Sequence, residues 1–261
     1  MGSSSINPFV YCSPNLKPQS TIHNPHPLAG PRANCLEMEP MPFFTQDAID
    51  FFRELELNNN KPWFEANKKR YEASVKKPME AFVTRLLERM QKLDPEIQMT
   101  AKEAIFRIYK DVRFSKDKTP YKTNAGAHIS RGGRKGFSTP GIYFHFDPRV
   151  IGVASGYYAP DPAGIAAIRR LIVSDPEGYR KAVASKDFAA KFGEIRGEKN
   201  KILPPEFKEA AKDLPILYSK QFYYWAEQPV ENLLKDDLDE WLVGHYKAAV
   251  PVNEYLNRAF E

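Results

Sequence analysis

The stretch from residue 105 to 114 constrains this chain most, because apolar Phe106, Ile108, Val112 and Phe114 alternate with Arg107, Tyr109, Asp111 and Arg113. A period of two is the pattern of a β-strand with one face in the core. The opposite face would then carry an Arg-Tyr-Asp-Arg row. The strand runs into a Ser-Lys-Asp-Lys-Thr-Pro loop that adds Lys116 and Lys118 and leads to Tyr121 and Lys122. Nowhere else do aromatic and cationic side chains interleave so densely. Guanidinium groups suit bidentate contact with phosphate or carboxylate, and tyrosine rings suit base stacking. The segment therefore reads as an anion-binding surface, with a phosphorylated small molecule or a nucleic acid as the expected partner. The competing reading is that Arg107, Asp111 and Arg113 satisfy one another, or fasten a covering helix through acids near Glu54 and Glu65.

Charge is concentrated in the same region. Residues 102–135 hold ten basic side chains (Lys102, Arg107, Lys110, Arg113, Lys116, Lys118, Lys122, Arg131, Arg134 and Lys135) against Glu103, Asp111 and Asp117, an excess larger than the chain's whole net charge of +5. A local excess of this kind favours anionic partners more than a diffuse one does, although a run of charge is also what a solvated loop carries. The chain's 261 residues, 42% hydrophobic and 27% charged, have the composition of a soluble globular protein. No apolar run reaches the roughly 18 residues that a membrane-spanning helix needs. Both cysteines, Cys12 and Cys35, precede the expected domain, so no thiol nucleophile, disulfide or cysteine-ligated metal is expected within it. No bound cofactor is implied, and the sequence holds no HExxH, no GxSxG and no clustered carboxylates.

Residues 1–41 are rich in Pro, Ser and Asn and lack apolar periodicity, which reads as a disordered N-terminal extension. They have too few cations for a transit helix, no apolar stretch for a secretory signal, and Ile6 where a myristoylation site wants Ser or Thr. An upstream leader with the natural start near Met38 or Met41 is the preferred reading.

Residues 42–261 read as a single α+β domain, an antiparallel β-sheet meander packed against several helices. Thr45 caps a first helix carrying Ile49, Phe52 and Leu55, which the three asparagines at 58–60 end. Pro62 starts a second helix, anchored by Trp63, Phe64, Tyr71 and Val75. Pro78 begins a third, with Met79, Phe82, Leu86, Met90 and Leu93 at helical spacing. Strands are expected at residues 123–129, 142–146, 150–157 and 219–225, with a short one at 201–203 and a glycine-rich turn at 131–136. That turn is a weak phosphate signal, since it matches no P-loop. Asp161-Pro162 and Asp175-Pro176 each announce a helix. Two further helices are expected at the C-terminus, one with Leu238, Trp241, Leu242 and His245, the other with Tyr255, Leu256 and Phe260.

Three motifs, NNNKPWFEANKKRY at 58–71, FRIYKDVRFSKDKTPYK at 106–122 and SGYYAPDP at 155–162, resemble the conserved-hypothetical family known as domain of unknown function 2461. The resemblance spans roughly residues 42 to 258. It implies an α+β microbial protein with a cytoplasmic location, and it implies no reaction, cofactor or catalytic residue.

Two alternatives accompany the anion-binding reading. His128 and His145 fall in adjacent expected strands, where they could meet near Tyr143 and Asp147, offering a general base or a metal pair, and, with Arg107 and Arg113 in the same site, serve a hydrolase or transferase. That constellation requires both imidazoles on one side of the sheet. The other alternative is an interaction scaffold using Trp63, Tyr157, Tyr158, Tyr223 and Tyr224, since Tyr and Trp are enriched at protein contacts.

Overall fold

The computed structural model describes residues 42–113, 115–133 and 141–261. The extension at 1–41, Phe114 and the part of the glycine-rich turn beyond Gly133 lie outside the described residues.

Helix α1 (Gln46–Leu57) begins after Thr45, which holds the extended cap conformation without a side-chain capping bond, and it buries Ile49, Phe52 and Leu55 as its period requires. Asn60 caps α2 (Lys61–Tyr71) by accepting the Trp63 amide at 3.0 Å. The expectation of a fresh helix at Pro78 needs correction. A π-helical turn (Glu72–Lys76) joins α2 directly to α3 (Lys77–Gln91), with the Lys77 amide reaching the Glu72 carbonyl. Proline supplies no amide to the ladder, and the wider turn accommodates it without ending the helix. Leu93 falls beyond α3 and is 46% exposed, so the buried stripe stops at Met90.

After the short α4 (Ala101–Ala104), closed by a Thr100–Glu103 capping box, comes the segment expected to be a strand. Its burial alternates as read: Ile108 is buried and Phe106 and Val112 are partly so, whereas Arg107, Tyr109, Asp111 and Arg113 are exposed. It forms no continuous ladder, however. Ile105 bridges Ala127 and Tyr109 bridges Tyr121, while the Asn59 side chain takes the backbone of Tyr121, accepting its amide at 3.1 Å and donating to its carbonyl at 2.9 Å. The Lys110 amide donates to the Pro120 carbonyl and the Lys122 amide to the Ile108 carbonyl, so Asn59 occupies the edge of the Tyr121 backbone that faces away from Tyr109.

The sheet comprises β1 (Ala125–Ile129), β2 (Ile142–Phe146), β3 (Val150–Tyr157) and β4 (Phe222–Pro229), all antiparallel and in that spatial order. Between β3 and β4 run α5 (Pro162–Ser174), α6 (Pro176–Val183) and α7 (Lys186–Lys191). Asp161 and Asp175 cap α5 and α6 by accepting the amides of Gly164 and Gly178 at 2.7 and 2.9 Å. No strand forms at 201–203: Ile202 is exposed, Leu203 is buried, and neither has a ladder partner. β4 starts at Phe222, later than expected: Ser219 bridges Lys199, while Tyr223 pairs with Gly156 of β3 and also bridges Arg196.

The C-terminus forms one helix, α8 (Leu238–Asn257), in place of two, with Pro251 inside it. An internal proline costs a helix about 3 kcal/mol. Burial of Val252, Tyr255 and Leu256 beyond Pro251 offsets that cost by holding the continuation against the core.

One sheet face forms the core. Phe144 of β2 meets Phe82 of α3 at 5.5 Å, and Phe146 meets Phe44 and Phe52 at 5.0 and 5.7 Å, all edge to face. α8 packs across β3 and against α3. Buried Asp239 ties the two helices together through Arg85 at 2.8 Å and Arg89 at 2.7 Å.

Candidate functional site

Strand parity decides what the other face carries. Phe144 and Val153, paired in register, point into the core, so their neighbours Tyr143, His145, Gly152 and Ala154 point away from it. Register places His128 opposite Tyr143 and Trp225 opposite Ala154. Both imidazoles therefore occupy one side of the sheet, together with Tyr143 and Trp225.

This side is hollow. A cavity of about 420 Å³ has Ala154 and Gly156 in its floor and Phe106, Tyr143, His145, Tyr223 and Trp225 as its rings. His128, Gly141, Ser155 and Tyr158 also line it. The volume falls in the range of small-molecule pockets, about 300–1,000 Å³. No residue lining it carries a formal charge at neutral pH if both histidines are neutral, which is where their surroundings drive them. Burial pushes His128 down to about 4 and lowers His145 too, against the opposing pull of Asp147 and Glu227. The same desolvation raises the Tyr143 phenol to about 12.

The rings are held in place by contacts among themselves. His145 lies 5.5 Å from Tyr143 and 5.4 Å from Trp225, and Phe106 meets Tyr143 edge to face at 6.0 Å. Trp225 donates its indole N–H to Glu227 at 3.1 Å, which fixes the ring's direction. A Cβ at Gly152 would collide with that indole and come within 2.9 Å of His145 Cε1, so glycine is what lets the tryptophan lie flat on β3. His145 Nδ1 is buried and makes no hydrogen bond among the described residues. Beneath the floor, Ser155 donates to the Gly141 carbonyl and accepts Asn253 Nδ2 at 2.9 Å, while Tyr224 donates to Asn253 Oδ1.

The basic strand-and-loop residues are placed differently. Arg113 pairs with Asp111 at 2.6 Å, and Lys110 with Asp117 at 2.7 Å. Lys118 donates to the Val112 carbonyl at 3.0 Å, Lys122 lies over the Phe106 ring, and Lys116 is exposed. Tyr121 is 3% exposed and stacks on Phe64 at 4.0 Å, so it belongs to the core and offers no face for a base; Tyr109, 47% exposed, leans on it at 5.5 Å. Arg107 borders a second hollow of about 220 Å³, which shares Phe106 with the first and is lined by neither histidine. The structure thus joins His128 with His145 and does not bring Arg107 or Arg113 into their cavity. Tyr157 and Tyr224, expected as exposed contact aromatics, are core residues, whereas Tyr158 is exposed and Tyr223 partly so.

Sequence reasoning missed Trp225, Ala154 and Gly152 as parts of this site. The parity of 223 and 225 on an aromatic strand was a usable signal, but the register linking β4 to β3 across three intervening helices was not.

An antiparallel sheet with α1, α3 and α8 on one face and an aromatic cavity on the other defines an α+β protein with a pocket of small-molecule size. The chain belongs to the DUF2461 family, described as conserved hypothetical protein, whose sequence pattern matches residues 47–255. No curated protein and no solved structure matches the chain. Among the described residues no helix is long and apolar enough to cross a membrane.

Proposed function

We propose that the protein binds a small, planar, largely uncharged ring compound in the aromatic cavity formed by His128, Tyr143, His145 and Trp225. The observation that carries this reading is the cavity itself: about 420 Å³, lined by four kinds of aromatic ring together with the small residues Gly141, Ala154, Ser155 and Gly156. A flat ligand gains ring stacking on several sides there, and the small floor leaves its faces unobstructed. His145 supplies a polar imidazole among these rings, one whose Nδ1 has no partner among the described residues.

Binding is better supported than acid–base turnover. A general base works best with a pKa near the working pH, and His128, at about 4, lies well below neutrality. The anionic ligand expected of the strand-and-loop surface has weaker support at that surface, where Arg113, Lys110 and Lys118 are engaged by Asp111, Asp117 and the Val112 carbonyl.

The test is a thermal-shift screen of planar heteroaromatic compounds against the full chain and against Ala154→Phe, which fills the floor. A ligand at a hundred times its dissociation constant adds about 2.7 kcal/mol of stability. Compounds should stabilise the parent chain and leave Ala154→Phe unchanged. Equal shifts for both proteins, or none for the parent, would count against the reading.

A further inference from the structure

The second hollow has a different chemistry. It holds about 220 Å³, and Lys76, Lys102 and Arg107 reach it from three separate elements: the π-helical turn, α4 and the segment that follows α4. Among the described residues none of these three cations forms a salt bridge, in contrast to Lys110 and Arg113 a few residues away. Glu80 is the single carboxylate among the lining residues, so positive charge is in excess. Two neutral donors join them. Tyr71 and Asn124 border the hollow and make no side-chain hydrogen bond among the described residues. Burial, helped by Tyr109, Glu80 and Glu72, pushes the Tyr71 phenol up to about 12, which keeps its proton in place as a donor at neutral pH.

Lys76, Lys102 and Arg107, each exposed, border one concavity whose lining also includes apolar Phe52, Val75, Met79, Phe106 and Ile108, and clefts with low-dielectric walls focus the field of the charges around them. Lys76 closes the π-helical turn, and such turns frequently occur at functional sites.

We propose that this hollow is an oxyanion site that takes a phosphate or phosphomonoester group, gripped by Arg107, Lys76 and Lys102 with Tyr71 and Asn124 as neutral donors. It is separate from the aromatic cavity and does not depend on what that cavity binds. Arg107 provides the planar fork suited to two phosphate oxygens, and the two lysines balance the second charge of a dianion.

The experiment is isothermal titration of the full chain with inorganic phosphate and, separately, with glycerol 3-phosphate, at ionic strength held constant with chloride. Saturable binding of at least one of them is expected. Stronger binding of glycerol 3-phosphate would identify an organic phosphate as the occupant, and stronger binding of phosphate the free ion. Arg107→Gln and Lys102→Gln should each weaken binding at least tenfold, whereas Lys116→Gln, an exposed lysine that does not line the hollow, should leave it unchanged. Lys102→Gln changes an exposed side chain, so it keeps the test open should Arg107→Gln fold poorly. Absence of saturable binding, undiminished binding in both hollow variants, or an equal loss in Lys116→Gln would overturn the proposal.

Discussion

Lys122 Nζ lies 5.0 Å from the centroid of the Phe106 ring, and that ring is a wall of both hollows. The contact is a cation–π pair, worth roughly 0.5–1 kcal/mol where solvent reaches it. It orients the side chain of a residue that borders both an aromatic cavity without formal charge and a basic hollow.

Phe106→Ala should remove this shared wall. The ring is half-buried, so the cost should fall below the roughly 3–5 kcal/mol of a fully buried phenylalanine, with about 1–3 kcal/mol expected in chemical denaturation. Binding in the aromatic cavity should weaken at the same time, because Tyr143 loses its edge contact.

Gly152→Ala tests how Trp225 is seated. The added methyl would occupy the space of the indole, which must tilt away from β3 and into the cavity. Tryptophan fluorescence should change, affinity for planar ligands should drop, and stability should fall by roughly 1–3 kcal/mol, as overpacking usually costs. Unaltered fluorescence with full affinity would mean that the indole does not rest on Gly152.

How far the sequence reveals this arrangement differs from element to element. β2 and β3 are legible to the residue, since IYFHF alternates cleanly, Asp147-Pro148 marks the turn between the strands, and the apolar run at 150–157 is short enough for one strand. The alternation at 105–113 reports burial correctly but overstates ladder formation, since among the described residues the segment is assigned isolated bridges at Ile105–Ala127 and Tyr109–Tyr121 and no continuous strand. Pro78 and Pro251 resemble boundaries and are not, since a π turn and a buried continuation absorb them. Of the site, the two histidines are legible as neighbours from strand parity. Lys76 and Lys102 are not legible, because tertiary packing alone brings the π turn and α4 to Arg107.

Acid sensitivity follows from His128. Its ordinary value of 6.5 is lowered to about 4 by burial, so between these limits the unfolded chain takes up a proton that the folded chain refuses. The stability contribution is therefore complete above pH 6.5 and is lost as pH falls toward 4, by at most about 1.4 kcal/mol per pH unit. His145 and His245 are lowered in the same direction and steepen the loss. Denaturation midpoints measured from pH 7 to pH 4.5 should fall for the parent chain and fall less steeply for His128→Gln. Parallel slopes would place His128 in contact with water.

Asn253→Ala addresses the support beneath the floor. It removes the donor to Ser155 and the acceptor of the Tyr224 hydroxyl, which retains the Ala249 carbonyl at 3.2 Å. Stranding buried polar groups costs roughly 1–3 kcal/mol each, so a loss near the lower end is expected by urea titration, with Ser155 less firmly held at the cavity.

The most direct measurement is the proton–nitrogen correlation spectrum of the indole groups of Trp63, Trp225 and Trp241, with the Trp225 signal assigned by its absence in Trp225→Phe. Titration with a stabilising planar compound should move the Trp225 signal in a saturable way and leave Trp63 and Trp241 in place, since neither lines the cavity. A stabilising compound that leaves Trp225 unmoved, or that perturbs all three alike, would contradict ligand binding on this face of the sheet.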